Sequence, residues 1–334
     1  MEIEPAVICY GLGVTDPKGV FGTTHGLVEK FGNNRVFDMP TSENAMTGVA
    51  IGAALNGLIP VMVHQRMDFF LLAMDQIINN AAKWNYMFGG VHGVGITIRL
   101  VVGQGWGQGP THSQDLHAWF SHIPGLKVVI PTSPHDAKGL LLASIFDPNP
   151  VIFIEHRWLH GTRGDVPEQA YRIPIGRAKR LNSGDDITIV ATSYLTIEAI
   201  HAVNHISQFD VKADLIDLRS VKPIEWDMIL DSVSRTGRLL VLDTANMTGS
   251  VAGEIIAKVS CDAYRQLKQA PVRLTYPDTP SPSSFALTKY YYPRAEDIVA
   301  NVGAMLHRDL KPERLLEGRQ VPHDVPGEWF TGPF

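Results

Sequence analysis

Glu43 is the first residue whose type and position could do chemistry. It lies in Asp38-Met-Pro-Thr-Ser-Glu43-Asn-Ala-Met, after a predicted strand and at the start of a helix rich in Gly48, Ala50, Gly52, Ala53 and Ala54. By spacing alone it is readable as a first-turn acid stabilising the helix dipole, worth ~0.3–1 kcal/mol. A second stretch, Val63-His-Gln-Arg-Met-Asp-Phe69-Phe70, leaves a strand and enters the helix carrying Met74-Asp75-Gln76, so its aromatics are either core or platform. The third is Gly107-Gln-Gly-Pro-Thr-His112-Ser-Gln, a glycine loop that leads into a histidine beside hydroxyl and amide groups. Glycines let a backbone approach a ligand closely. His112 also reads as a plain loop histidine, because His92, His117 and His122 are nearby. All three stretches fall where an α/β sheet presents the carboxyl ends of its strands, the usual place for ligands.

The elements that must position them alternate short apolar runs with longer amphipathic ones, the pattern of helices packed on a mostly parallel sheet. Strands are expected at Ala6 to Tyr10, Val36 to Met39, Pro60 to His64, Gly95 to Val102, Lys127 to Ile130 and Val151 to Glu155. Helices are expected at Thr24 to Phe31, Glu43 to Leu55, Phe69 to Trp84 and His135 to Phe146, the last opened by Ser133-Pro134. The pattern then decays, so 157–186 reads as a linker between a first domain, 1–156, and a second, 187–310. The second set has strands at Ile187 to Ala191, Ala213 to Leu218, Arg238 to Leu242 and Val272 to Tyr276, with helices at Thr196 to His205, Trp226 to Ser234 and Ser250 to Gln266. The fold class is α/β, with two doubly wound domains. A Pro- and Gly-rich tail, 311–334, ends in Trp329-Phe-Thr-Gly-Pro-Phe334, aromatics that are costly to leave in water and are expected to dock.

Composition narrows the function classes. The chain has 334 residues, 45% hydrophobic and 19% charged, with a net charge of −5 and no basic run, so nucleic acid is not an expected partner. Its two cysteines, Cys9 and Cys261, build neither a disulfide framework nor a cysteine zinc site, and fit a reducing compartment. Met1 to Val7 lacks the pattern of a signal peptide, and no stretch approaches the ~20 apolar residues of a membrane span. A cytoplasmic, soluble protein without a membrane partner is expected. Walker A, H-E-x-x-H, G-x-S-x-G and G-x-G-x-x-G signatures are missing, and Gly103-Gln-Gly-Trp-Gly-Gln-Gly109 has the wrong glycine spacing for a dinucleotide.

In order along the chain, Arg35-Val-Phe-Asp-Met-Pro-Thr-Ser-Glu43, Ala73-Met-Asp-Gln-Ile-Ile-Asn-Asn-Ala-Ala-Lys83, Thr111-His-Ser-Gln114, Ile123-Pro-Gly-Leu-Lys-Val-Val-Ile-Pro131, Asp136-Ala-Lys-Gly139 and Ile216-Asp-Leu-Arg219 form a connected set. From about Ala6 to Leu306 the chain resembles the beta subunit of the thiamine diphosphate-dependent first component of 2-oxo acid dehydrogenases of the pyruvate, branched-chain and acetoin type, in the transketolase superfamily.

The resemblance implies a pyrimidine-binding domain followed by a transketolase C-terminal-like domain, with the cofactor held between chains. Glu43 then matches the glutamate that hydrogen-bonds the aminopyrimidine nitrogen, Phe69 the aromatic that packs on that ring, Tyr86 an aromatic lining the site and His112 the histidine facing the substrate. The G-D-G motif that holds diphosphate and Mg2+ is missing. Its near match, Ser183-Gly-Asp-Asp186, precedes a strand of the second domain. An alpha subunit supplying it, in an α2β2 assembly, is therefore implied, and a structural K+ is implied at Ser144, Asp147 and Asn149.

Three departures stand out. His64 and Arg66 replace commonly apolar residues and point to a polar or anionic substrate, while Asp243-Thr-Ala-Asn246 and the tail bear on docking to a lipoyl acyltransferase. The other readings are the C-terminal half of a split transketolase or deoxyxylulose phosphate synthase-like enzyme, and a non-catalytic α/β scaffold chain. Ser113-Gln114 opposes the former; Glu43, Phe69 and His112 together oppose the latter.

Overall fold

The computed structural model describes residues 1–317 and 319–327. In chain order its strands are β1 (Val7–Gly11), β2 (Val36–Asp38), β3 (Ile59–His64), β4 (Thr97–Val102), β5 (Lys127–Val129), β6 (Val151–His156), β7 (Lys179–Asn182), β8 (Ile187–Ala191), β9 (Ala213–Asp217), β10 (Ser220–Lys222), β11 (Leu239–Asn246) and β12 (Val272–Tyr276). The first sheet runs β10-β5-β6-β4-β3-β1-β2, with neighbours parallel except β10 against β5. Strand β4 is buried along its whole length, as a central parallel strand covered on both faces must be. Its one charge, Arg99, is forked onto Glu155 of β6 at 2.9 and 2.8 Å.

The helix Glu43–Leu55 forms over the expected residues, and Ser133 caps Pro134–Ile145 by accepting from the Asp136 N–H at 3.1 Å. The expected helix from Phe69 to Trp84 is instead broken into Met67–Phe70, a 3-10 turn Leu71–Ala73, a π-helical stretch Gln76–Ala81 and Ala82–Met87. A Cβ on Gly125 would lie 1.9 Å from the Ala82 carbonyl oxygen, so the chain after the widened turn packs directly on a glycine. Apolar periodicity does not register such a turn.

The second sheet runs β12-β11-β8-β9-β7, parallel except for β7 against β9. Strand β7 thus lies inside the stretch expected as a linker. It is a mostly exposed, polar edge strand, and so lacked the alternation by which strands are recognised. The helix Ala295–Leu306 was also not expected, although Ile298, Val299, Val302 and Met305 face one side and pack in the core with the helix Leu195–Ser207. Within the tail, Arg319 forks onto Glu296 at 2.7 and 2.8 Å, and Val325 packs with Trp158, Leu159 and Tyr194. Trp329, Phe330 and Phe334, expected to dock, lie outside the described residues.

The two domains share one core. Leu100, Phe120 and Ile154 of the first belong to the same apolar cluster as Leu218, Val221, Ile229 and Leu239 of the second. Strand β10, which follows β9 in the chain, crosses over to finish the first sheet. The reversal is made at Arg219, whose φ of 56° is left-handed. Its guanidinium donates to Asp136 Oδ1 at 3.0 Å, to the Arg177 carbonyl at 2.9 Å and to the Ala178 carbonyl at 3.0 Å. Burial works against the Asp136 carboxylate, yet Ser133 and Arg219 hold its pKa below the usual value. The Asp136 and Arg219 stretches of the sequence are therefore two halves of one inter-domain clamp.

Because a depressed carboxylate pKa contributes stability above the unfolded value and loses it as pH falls through the folded one, the clamp is present at neutral pH and lost in acid. Arg219→Ala is expected to destabilise the chain by about 3 kcal/mol at pH 7, the cost of leaving a buried charge unpaired. Denaturant midpoints measured from pH 7 to pH 3 should show the gap from wild type narrowing as the acid limit is approached.

Candidate active site

Because β2, β1, β3 and β4 are parallel neighbours, their carboxyl ends share one edge of the first sheet, and the three chemically interesting stretches all leave from it. Beyond β2, the Asp38 carboxylate accepts from the Val14 N–H at 2.7 Å and the Thr15 hydroxyl at 2.6 Å, fixing the loop after β1. Tyr10 of β1 stacks on Phe37 at 5.1 Å and donates to the Met46 carbonyl at 2.9 Å, which seats the first turn of Glu43–Leu55. Glu43 is thereby drawn inward to 4% exposure. Among the described residues its carboxylate has no hydrogen-bond or ion-pair partner, and only its backbone carbonyl is used, by Thr47 at 2.7 Å. Its carboxylate oxygens are not among the fully buried, unpartnered polar atoms, so they still meet solvent although the residue as a whole is little exposed. A helix-dipole role alone does not require that burial.

After β3, Phe70 turns into the core, fully buried, while Phe69 stays 37% exposed. The Phe69 ring meets His112 edge to face, with centroids 5.4 Å apart at 88°. The pair is held by the residue before Phe69. Asp68 accepts from the Gln114 side chain at 2.8 Å and from its N–H at 3.3 Å, so the segments carrying Phe69 and His112 are laced together. The Thr111 hydroxyl lies 3.0 Å from His112 Nδ1. Phe69 and His112 wall a hollow of about 290 Å3 that also takes in Asp16, Lys18, Phe21 and Arg66.

The loop that delivers His112 is anchored by residues the sequence reading passed over. Gln104 Oε1 contacts His156 Nε2 and accepts from the Tyr276 hydroxyl, both at 2.8 Å, and its carbonyl accepts from the Trp158 indole at 3.0 Å. Burial pushes His156 down to about 4, so the ring is neutral; its Nδ1 accepts from the Trp158 N–H, and Nε2 is therefore the donor to Gln104. Gly105 packs on the tail, where a Cβ would come within 2.0 Å of the Asp324 carbonyl, and Ser281 donates to the Ser113 carbonyl at 3.2 Å. Gln104 was visible only as part of a glycine run judged for dinucleotide binding.

Residues 1–161 match the transketolase pyrimidine binding domain and residues 176–298 the transketolase C-terminal domain. Over 282 residues the chain is 43% identical to the beta subunit of acetoin:2,6-dichlorophenolindophenol oxidoreductase of Cupriavidus necator, covering 84% of this chain and 83% of that one. It is 38% identical over 303 residues to the pyruvate dehydrogenase E1 component subunit beta-1, mitochondrial, of Oryza sativa subsp. japonica, covering 90% and 81%. The chain belongs to this beta-subunit family. A solved split-gene transketolase, an inactive beta4 tetramer, shares the fold with a TM-score of 0.74 over 92% of this chain and 93% of that one, at 22% identity.

In this E1 beta-subunit homologue some expected site residues stand apart from the hollow. His64 is buried against Phe70, ring centroids 4.7 Å apart, and burial pushes its pKa down to about 3, so it is a neutral core group beneath the site and does not line the hollow. Tyr86 is 89% exposed on Ala82–Met87 and does not line the hollow either. The side chains read as a potassium site have protein partners. Ser144 donates to the Leu140 carbonyl at 2.7 Å, Asp147 takes the Lys127 ammonium, and Asn149 accepts from Asn85 at 2.9 Å. The near match at Ser183-Gly-Asp-Asp186 is structural too: Asp185 pairs with Arg235 at 2.7 Å and Asp186 accepts from the Lys212 N–H at 2.7 Å.

Three residues beyond His112's own contacts, the loop enters a buried ion network at the domain seam. His117 Nδ1 lies 2.7 Å from Asp115 and Nε2 2.8 Å from Asp243, which also accepts from the Ala245 and Ala252 N–H groups. Burial opposes protonation, but the two carboxylates hold the His117 pKa well above its ordinary value. Asp115 also takes the Thr244 hydroxyl.

A raised histidine pKa contributes stability below its unfolded value and loses it as pH rises through the folded one. His117→Gln should therefore cost about 3–5 kcal/mol near pH 6 and abolish the alkaline loss of stability expected of wild type, as thermal melts across pH will check. For the anchor, Gln104→Leu is expected to lower kcat of the assembled enzyme on the order of 10²-fold by displacing the His112 loop, while the KM for cofactor changes little. Steady-state kinetics with both ligands varied will separate the two parameters.

Proposed function

We propose that this chain is the beta subunit of a thiamine diphosphate-dependent enzyme that decarboxylates a 2-oxo acid and passes the resulting electron-rich fragment to an acceptor, a lipoyl group where the subunit serves a full dehydrogenase complex. One observation carries the reading. Glu43, 4% exposed and without a side-chain partner among the described residues, starts a helix that leaves the same strand edge as the Phe69–His112 pair, although it does not line the hollow those two wall.

When bound, thiamine diphosphate supplies the nucleophilic carbon and the electron sink that decarboxylation requires. Glu43 would hold the aminopyrimidine ring nitrogen and serve there as the acid and base. Phe69 would pack on the same ring, a contact worth ~0.5–1.5 kcal/mol beyond burial. His112, held edge-on to Phe69 and anchored through Gln104, transfers a proton to, or stabilises, the substrate carboxylate or carbonyl oxygen. Arg66 lines the substrate side of the hollow.

Among the described residues no three His, Cys, Asp or Glu side chains converge on a metal ion. Mg2+ and the diphosphate are therefore assigned to an alpha subunit, in an α2β2 assembly. Tyr86, exposed together with Met87, Phe88 and Val91, is assigned to a site wall completed across a subunit boundary. No helix among the described residues is long and apolar enough to cross a membrane. The free thiols of Cys9 and Cys261 suit a cytoplasmic enzyme.

The test is co-expression with the alpha partner, addition of thiamine diphosphate and magnesium, and measurement of carbon dioxide released from a panel of 2-oxo acids. Glu43→Gln should lower the rate by about 10²–10⁴-fold, the span of one acid-base group, with the assembly intact by size-exclusion chromatography. Near-normal turnover would remove Glu43 from this role.

A further inference from the structure

A second chemical feature of the hollow is not used by the proton chemistry above. The turn Gly19–Gly22 holds two consecutive non-glycine residues in the left-handed region, Val20 at φ 42° and Phe21 at φ 58°. Such conformations cost about 1–3 kcal/mol each and persist where the surroundings impose them. Here the Gly22 N–H donates to the Lys18 carbonyl at 2.7 Å, the Thr24 N–H to the Gly19 carbonyl at 3.0 Å and the Thr24 hydroxyl to the Val14 carbonyl at 2.9 Å. The result presents the Phe21 ring to two guanidiniums, Arg66 at 5.0 Å and Arg157 at 4.8 Å from its centroid. Arg66 comes from the end of β3 and Arg157 from the end of β6, so the sheet itself brings the like charges toward one ring. Burial pushes Arg66 down to about 10, with Arg157 adding to the effect and Asp68 opposing it.

Arg66 is also close to the chemistry. A Cβ on Gly103 would lie 2.3 Å from the His112 carbonyl oxygen and 3.4 Å from Arg66 Nε, so the guanidinium and the histidine flank the same glycine. Arg66, Lys18 and His112 share the walls of the hollow, whose volume of about 290 Å3 is at the small end for ligand sites. The acids nearby are Asp16, on the wall, and Asp68, held by Gln114 and pushed by burial toward its protonated form. A planar, always charged guanidinium stacked on an aromatic ring is preorganised to bind carboxylate or phosphate through two hydrogen bonds.

We infer that this site selects a 2-oxo acid carrying a second anionic group at its far end, with Arg66 reading that group, Lys18 and Arg157 supporting the charge, and His112 facing the reacting end. The inference rests on the 2-oxo acid reading above. A terminal carboxylate and a phosphate ester share this chemistry, and the test separates them.

The assembled enzyme, with alpha partner, thiamine diphosphate and magnesium, is compared on 2-oxopentanoate, 2-oxopentanedioate and a phosphate ester of a 3-hydroxy-2-oxo acid. One of the two acids with an anionic far end is expected to exceed the neutral-tailed acid in kcat/KM by at least about tenfold, the worth of one charge-assisted hydrogen-bond pair. Arg66→Met should abolish that ratio mainly through KM, and Arg66→Lys should keep part of it. Should Arg66→Met fail to fold, Lys18→Met, at an exposed position, is expected to weaken the preference in the same direction. As a readout without turnover, non-reactive pentanedioate should raise the melting temperature of the wild-type full chain more than pentanoate does, and the difference should vanish in Arg66→Met. Equal efficiency on the neutral acid, or a preference unchanged in Arg66→Met, overturns the selectivity and leaves the reaction standing. No carbon dioxide from any of the acids overturns the reaction and this inference with it.

Discussion

A protonated histidine enclosed by two carboxylates holds the domains in their working relation. His117 bridges Asp115 of the first domain and Asp243 of the second with almost no access to water. Removing any one member would leave a charge stranded in an apolar seam, so the three groups tolerate only the docked arrangement. The Asp136–Arg219 clamp and the shared apolar cluster act in the same sense. Strand β10, which belongs to the second half of the chain but completes the first sheet, adds backbone hydrogen bonds to that constraint.

This seam matters because the loop carrying His112 is threaded through it. From Gly103 the loop is gripped through the Gln104 side chain by His156 and Tyr276, through its backbone by Trp158 and Ser281, and by the tail at Asp324, before it enters the ion network at Asp115. A glycine-rich loop has many conformations open to it. Here the second domain removes most of that freedom, without placing a side chain of its own on the wall of the hollow. Its part in the chemistry is positional.

The site is incomplete by design of the fold. A little-exposed carboxylate, an aromatic and a histidine stand on one strand edge, whereas the near match to a diphosphate motif at Asp185 and Asp186 is engaged in ordinary packing elsewhere. Tyr86 and its apolar neighbours are left in solvent on this chain. Both facts accord with the proposal that the site is completed by a partner subunit.

The order of strands and helices in the first domain was legible because parallel strands buried on both faces read as unbroken apolar runs, and Glu43–Leu55 begins and ends where its residue types say it should. Of the candidates, Phe69 and His112 meet on one hollow, which Glu43 does not line. What the sequence could not express were contacts between residues far apart in it. Strand β7 is a polar edge with no period, the π-helical stretch after Asp75 leaves the apolar spacing nearly unchanged, and Gln104, His156 and Tyr276 meet only because two sheets pack together. The helix Ala295–Leu306 did carry its apolar period, and was passed over among the proline- and tyrosine-rich residues before it. Burial likewise separated His64, turned under Phe70, from Arg66, turned toward Phe21 and the hollow, although the two lie two positions apart. Residue type and local period are properties of the chain and survive in its sequence. Which groups lose water and which charges come to face each other are properties of the packed molecule, settled only when distant segments compete for the same interior.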